Sequence, residues 1–145
     1  MATDHEGRRT AVKDAFRFLS ASKPTVSGSR PQEALTFVSE PLFIDVEIDE
    51  RDGLVSVLIG SLRPDGNVPD GYYEDSSGSP VRWHLGNLLS LIGRGEAAAR
   101  LRAAYGKTGD EAMEAQIEES AGALETHLLE VIAALTGPDR PQSLH

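Results

Sequence analysis

The sequence has no cysteine, few aromatic residues and no long apolar run. The absence of cysteine from all 145 residues excludes a disulfide framework, a thiol nucleophile and a cysteine-based zinc site. No apolar stretch approaches the roughly 20 residues that a membrane-spanning helix needs. Residues 1–6 are polar and do not form the apolar core of a signal peptide. With a length typical of one domain, these features predict a single cytoplasmic domain.

Basic residues are also scarce. Lysine and arginine number 14 against 23 aspartate and glutamate residues, which gives a formal net charge of -9. Binding to nucleic acid or to an anionic membrane depends on positive charge that faces the phosphates. The composition therefore argues against a nucleic-acid-binding protein and against a protein of the membrane surface.

Apolar periodicity predicts helices at both ends of the chain. Apolar residues recur at intervals of three and four over residues 8–21 and over residues 110–136. Gly137 followed by Pro138 is typical of a helix end, so we expect the long helix to stop there. Composition and pattern assign three further segments: a loop at 20–31 and short helices at 86–92 and 96–105.

The middle of the chain has the alternating pattern of β-strands. Residues 42–49 alternate between apolar side chains on one face and mostly charged side chains on the other. Residues 54–62 return as a partner strand after a turn that ends in Gly53, a residue suited to positive φ. Two further strands are predicted at 34–39 and 81–85.

The order of these elements predicts an α+β fold. Consecutive strands followed by helices are typical of an antiparallel sheet. We expect an N-terminal helix, an antiparallel sheet of three to four strands with a central hairpin, and C-terminal helices packed on one sheet face. The apolar stripe of the long helix would cover the hairpin. The predicted domain spans residues 8–137, with disordered tails at 1–7 and 138–145.

The long helix carries a row of carboxylates. Seven acidic residues and no base fall within residues 109–130. Four of them follow helical spacing along one face: Glu111, Glu114, Glu118 and Glu125. One interpretation is a solvated face, partly neutralised by the basic segment 94–107 packed beside it. The other is a docking face for a basic partner, since complementary charge speeds association.

A second candidate surface lies between the hairpin and the helices. Residues 63–80 form a long connection rich in glycine, proline, aspartate and serine, which inside a compact domain is typically functional or disordered. Residue types that dominate binding sites stand in and after it: Tyr72, Tyr73, Arg82 and Trp83. They predict either a recognition loop or a core tryptophan with one tyrosine packed over the sheet edge.

Three strand carboxylates leave a small metal-dependent enzyme open as an alternative. Asp45, Glu47 and Asp49 share one face of the predicted strand, as metal-binding carboxylates of nucleotidyltransferases do. Their other interpretation is the solvent face of an edge hairpin. The histidines have no ligand spacing, and His127 is placed to pair with Glu130. We predict no catalytic residue, no metal and no cofactor, and hence no enzyme.

Three segments in a fixed order resemble a group of small bacterial proteins of the α+β type. They are Phe16-Arg17-Phe18-Leu19, the hairpin region 35–60 and the leucine-rich region 83–93, all ahead of the acidic helix and within residues 12–136. Many members of this group are encoded near toxin, immunity or mobile-element genes. The resemblance implies a non-enzymatic, protein-binding role and carries over no functional residue.

These observations predict a small acidic protein-binding module, of the immunity or adaptor type, that docks to a basic protein partner without catalysis. Its contact residues would be the four glutamates of the long helix together with the aromatic and arginine side chains after the hairpin. The alternative is a homo-oligomeric structural subunit of a bacterial assembly, in which the helix stripe or the hairpin edge pairs with a second copy.

Overall fold

A helix, an antiparallel sheet and a set of C-terminal helices follow one another along the chain. A computed structural model describes residues 3–19, 25–27, 33–69, 72–106 and 110–137. The helices are α1 (Thr3–Ala15), a 3-10 helix (Arg17–Leu19), α2 (Leu85–Leu91), α3 (Gly95–Ala104) and α4 (Asp110–Thr136). The strands are β1 (Thr25–Ser27), β2 (Glu33–Ser39), β3 (Leu42–Asp49), β4 (Leu54–Ser61) and β5 (Trp83–His84). This order confirms the predicted α+β class.

The strands form one antiparallel sheet in chain order, β1-β2-β3-β4-β5. β3 and β4 pair along their whole length, and Gly53 in the connecting turn has a φ of 68°. β2 flanks β3 on its other side, so the predicted central hairpin is confirmed and β3 is an interior strand. β5 adds only Trp83 and His84 from the segment predicted at 81–85.

One strand lies within the segment that was predicted to be a loop. β1 pairs through its backbone with β2, inside residues 20–31. Threonine and valine, which are β-branched, favour this extended conformation, and the free edge of β2 supplies the hydrogen-bonding partner. The loop prediction was wrong here because it rested on the glycine and proline residues on either side of this short segment.

The apolar face of the sheet packs against the helices. Ile44, Val46 and Ile48 of β3 lie on this face and are no more than 2% exposed. Full burial of each such side chain contributes on the order of 2 kcal/mol to stability. α4 packs across β4, while α1 and α3 pack against α4. The prediction that the C-terminal helices cover one sheet face is confirmed.

Helix α4 has the predicted bounds but is interrupted. At His127 the backbone leaves the helical conformation, with φ -112° and ψ 20°. Gly122, a residue type of low helix propensity, lies within the uninterrupted part of α4. At the C-terminal end, the Gly137 N–H donates to the Ala133 carbonyl oxygen at 2.9 Å. Among the described helices, none combines the length and the apolar character of a membrane-spanning segment.

Helix α1 begins earlier than predicted. It starts at Thr3, whereas the predicted helix began at residue 8 and residues 1–7 were assigned to a tail. Residues 3–7 lack apolar periodicity. Extending a helix that has already formed costs much less free energy than nucleating one, so the helix can continue into this segment. The predicted tail at 138–145 lies outside the described residues.

Candidate functional site

A polar face of the sheet is buried beneath the connection between β4 and β5. Asp45 and Glu47 point away from the helices, as the alternation predicted, yet they are only 0% and 3% exposed. Residues 62–69 and 72–82, here called the covering segment, supply the side chains that meet them. The solvent face of an edge hairpin was therefore the wrong interpretation, because β3 is an interior strand and its polar face is covered.

Arg82 neutralises Asp45 inside the protein. Arg82 Nε donates to Asp45 Oδ2 at 2.7 Å, and the Thr36 hydroxyl donates to Asp45 Oδ1. Arg82 Nη1 donates to the Tyr72 carbonyl oxygen at 2.9 Å, and the guanidinium lies 4.9 Å from the centre of the Phe43 ring. Removing one partner of such a pair leaves an uncompensated buried charge. The pair therefore fixes the end of the covering segment to the central strand.

Tyr72 fixes the covering segment at a second point. Its hydroxyl donates to Glu47 Oε1 at 2.7 Å, and its ring meets the Tyr73 ring edge-on, with centres 4.5 Å apart. Burial and the Glu47 carboxylate raise the pKa of Tyr72 well above its usual value, so the phenol stays a donor. The Tyr73 hydroxyl hydrogen-bonds to His84 Nε2 on β5 at 2.9 Å. Both tyrosines thus attach the covering segment to the sheet.

These contacts give the three strand carboxylates structural partners. Asp45 binds Arg82, Glu47 binds Tyr72, and Asp49 Oδ1 accepts from the backbone N–H of Asp52 at 3.1 Å. The Arg82 guanidinium stands where a cation bound by Asp45 would stand. In the part of the chain that the structure describes, no three histidine or acidic side chains converge as metal ligands would. The geometry therefore favours an anchoring role for these carboxylates.

Two of the predicted contact residues are buried. Trp83 is 3% exposed and belongs to the hydrophobic core, where its β5 position pairs with Ile59. Arg82, also 3% exposed, is held in the ion pair on the opposite face of the sheet. Neither side chain is placed to contact a partner, so this part of the prediction is corrected. Tyr73 is 37% exposed and keeps an accessible ring surface.

A groove between α1 and α4 gathers two of the predicted glutamates. Its rim carries three carboxylates, those of Asp14 on α1 and of Glu114 and Glu118 on α4. Its floor is apolar and consists of Ala11, Ala15 and Ile117. The volume is about 420 Å³. We call it the acidic groove.

Helical spacing explains the acidic groove. Glu114 and Glu118 are one turn apart on α4 and are both exposed, while Ile117 between them turns inward and is 2% exposed. Asp14 stands between Ala11 and Ala15 on the facing helix. The sequence predicted the two glutamates but not Asp14, because only the packing of α1 on α4 brings it to them. Within the described residues, no base pairs with Glu114 or Glu118.

The other predicted acids lie outside the acidic groove. Glu111 and Glu125 are exposed on α4 and do not line it. Glu130 accepts from Arg94 Nε at 2.9 Å and from His127 Nδ1 at 2.9 Å, which confirms the expected pair with His127. These hydrogen bonds lower the pKa of Glu130. The predicted neutralisation of the acidic helix by the basic segment 94–107 is therefore seen at Glu130, which Arg94 binds.

Comparisons with models of protein families, with curated proteins and with solved structures found no match to this chain. The resemblance to small bacterial α+β proteins accordingly stays a prediction.

Proposed function

We propose that the protein is a small acidic binding module, of the immunity or adaptor type, that docks to a basic protein partner in the cytoplasm without catalysis. The observation that carries this proposal is the acidic groove, where Asp14, Glu114 and Glu118 surround an apolar floor. The net charge of -9 has the same sign as the groove and reinforces its field.

The chemistry of the acidic groove fits a lysine or arginine side chain. Both residues have a long aliphatic stem and a charged end, and the stem packs on apolar surface while the end stays near water or a counter-charge. Ala11, Ala15 and Ile117 would contact the stem, and the rim carboxylates would bind the charged end. Several carboxylates around one opening also steer a basic partner toward it before contact.

The first experiment is affinity capture of the tagged full chain from a lysate of its source cells, at low and high salt, with identification by mass spectrometry. We expect one stoichiometric basic partner that is lost at high salt, since screening shortens the range of charge interactions. Recovery of no partner beyond the chain itself would contradict docking and favour self-association.

The second experiment assigns the contact to the acidic groove. The variant Glu114→Lys/Glu118→Lys reverses the rim, whereas Glu111→Lys/Glu125→Lys reverses two exposed acids of the same helix outside it. Both variants change the net charge equally, so non-specific steering changes equally. We expect association at least tenfold slower for the rim variant and a much smaller effect for the control. Equal slowing by both variants would remove the groove from the proposal.

A homo-oligomeric subunit is the second candidate. Leu129 on α4 is 81% exposed and Leu91 on α2 is 53% exposed, and these two helices pack against each other. Contact with a second copy would remove the apolar surface of these side chains from water. Sedimentation equilibrium of the wild type and of Leu129→Ser would show a dimer that the substitution dissociates; a wild-type monomer at all concentrations would exclude this function.

A further inference from the structure

A second concave site lies at the edge of the sheet, where β4 and β5 meet the helices. This edge cleft has a volume of about 330 Å³, within the range of small-molecule sites. Leu54, Leu85 and Leu101 supply apolar lining, and Asn87, Arg102 and Ser120 supply polar lining. None of its lining residues belongs to the acidic groove, so the two sites are separate.

Ser120 points to a ligand in the edge cleft. It is 0% exposed, and its hydroxyl lies beside the Tyr105 phenol without making a hydrogen bond of ordinary geometry within the described residues. The Tyr105 hydroxyl itself donates to the Val55 carbonyl oxygen. Buried hydroxyls in native proteins nearly always have a partner. The Ser120 hydroxyl is therefore a group to which a molecule in the cleft could hydrogen-bond.

The charge of the edge cleft indicates which kind of ligand fits. Arg102 lines it, and no carboxylate is among the described lining residues, although acids outnumber bases in the chain by 23 to 14. Within the described residues, no acidic side chain pairs with Arg102. His84 also lines the cleft and can carry a positive charge. Its Nε2 is hydrogen-bonded to the Tyr73 hydroxyl. A guanidinium binds a carboxylate through two parallel hydrogen bonds.

We propose that the edge cleft binds a small organic carboxylate. Its apolar body would lie against Leu54, Leu85 and Leu101, and its carboxylate would bind Arg102. The Ser120 hydroxyl is a second donor for a polar atom of the ligand. A single guanidinium matches one negative charge, which favours a carboxylate over a doubly charged phosphate monoester.

The probe for this proposal is phenylacetate, with phenylacetamide as a neutral control of nearly the same shape. Either compound is titrated into the full chain labelled with nitrogen-15, and amide signals are followed by NMR. We expect saturable shifts for phenylacetate at Gly86, Asn87, Leu101 and Arg102, and at least tenfold weaker binding of phenylacetamide. No saturable shift at these amides, or equal binding of the two compounds, would overturn the proposal.

A matched pair of arginine variants locates the charge contact. Arg102→Gln should weaken phenylacetate binding at least tenfold, while Arg100→Gln, on the same helix but outside the edge cleft, should leave it unchanged. Both side chains are exposed, so both variants are expected to fold. Ser120→Ala should weaken binding several-fold without loss of the folded state, because its hydroxyl makes no hydrogen bond of ordinary geometry within the described residues. Equal weakening by the two arginine variants would overturn the proposal.

Discussion

Arg82 and Asp45 are 37 residues apart in the chain and form an ion pair of 2.7 Å, with 4% and 0% of their side chains exposed. This pair joins the segment that follows the hairpin to the interior strand of the sheet. The polar face of the sheet therefore belongs to a second, smaller layer of packing. The stability of that layer depends on a buried ion pair, whose two charges are both removed from water.

Substitution of Arg82 tests this layer directly. Arg82→Met should lower the free energy of unfolding by about 3–5 kcal/mol, because Asp45 stays buried without its counter-charge. The double variant Arg82→Met/Asp45→Leu should recover most of the loss, since neither charge remains. Urea unfolding followed by fluorescence of Trp83, the single tryptophan, measures both. A loss below about 1 kcal/mol, the size expected for an exposed pair, would contradict the prediction.

Tyr72 predicts a dependence of stability on alkaline pH. Below about pH 10 the phenol is protonated in both states and its hydrogen bond to Glu47 is intact. Because the pKa of Tyr72 is raised only in the folded state, the unfolded chain loses this proton first, and the free energy of unfolding falls as pH rises above that value. Tyr72→Phe should lower stability near pH 7 by about 1–3 kcal/mol.

The same substitution should also flatten the alkaline decline. Part of the decline should remain in Tyr72→Phe, since burial also raises the pKa of Tyr105. Urea unfolding at several values between pH 8 and pH 11 gives both effects. An identical alkaline slope in the wild type and in the variant would show that Tyr72 does not carry this dependence.

Two glycines should respond in opposite ways to alanine. A Cβ at Gly60 would overlap the Val81 carbonyl oxygen and lie 2.7 Å from the Phe43 ring, because the covering segment crosses β4 there. Gly60→Ala should therefore destabilise the protein by about 1–3 kcal/mol. Gly122 is exposed on α4, and a Cβ there would meet no atom of a described neighbouring segment within 4 Å, so Gly122→Ala should stabilise the protein by about 1 kcal/mol. Thermal unfolding compares them, and similar midpoints for both variants would contradict the close approach at Gly60.

Gln116 should protect the free edge of β4. Its Oε1 accepts from the Val55 N–H at 2.7 Å, and Gln116 is 1% exposed, while β5 pairs with β4 at Leu58 and Ile59. Gln116→Met keeps the volume but leaves this amide without its acceptor, which should cost about 1–3 kcal/mol. Amide hydrogen exchange at Val55 should accelerate more than exchange at Val57. Unchanged exchange at Val55 would mean that this contact does not protect the edge.

Local patterns were sufficient to predict most elements from the sequence. β3 and α4 have the predicted bounds because alternation over eight residues and a regular stripe over 27 residues each favour one conformation. β1 has only three residues, and its pairing depends on the position of β2 in space. The apolar spacing of α4 continues past His127, so the sequence pattern does not predict the interruption there.

The candidate site was predicted only in part. Alternation along β3 showed that Asp45 and Glu47 share a face. A strand with a solvated polar face and a strand with a covered polar face have the same alternating pattern, so the pattern does not distinguish them. The residue types of Tyr72 and Arg82 predicted partner contacts, and nothing in the local sequence pairs them with those carboxylates. Glu114 and Glu118 were recognised by spacing, and their groove required the position of α1.

The alternation along β3 also affects how the strand finds its partners. A shift of one residue would exchange the two faces and place Asp45 and Glu47 among the apolar side chains beneath the helices. The buried cluster that the described residues form on that face is apolar. An isolated buried carboxylate is far less stable than a paired one. The two carboxylates that hold the covering segment therefore also discriminate against misaligned strand pairings while the sheet assembles.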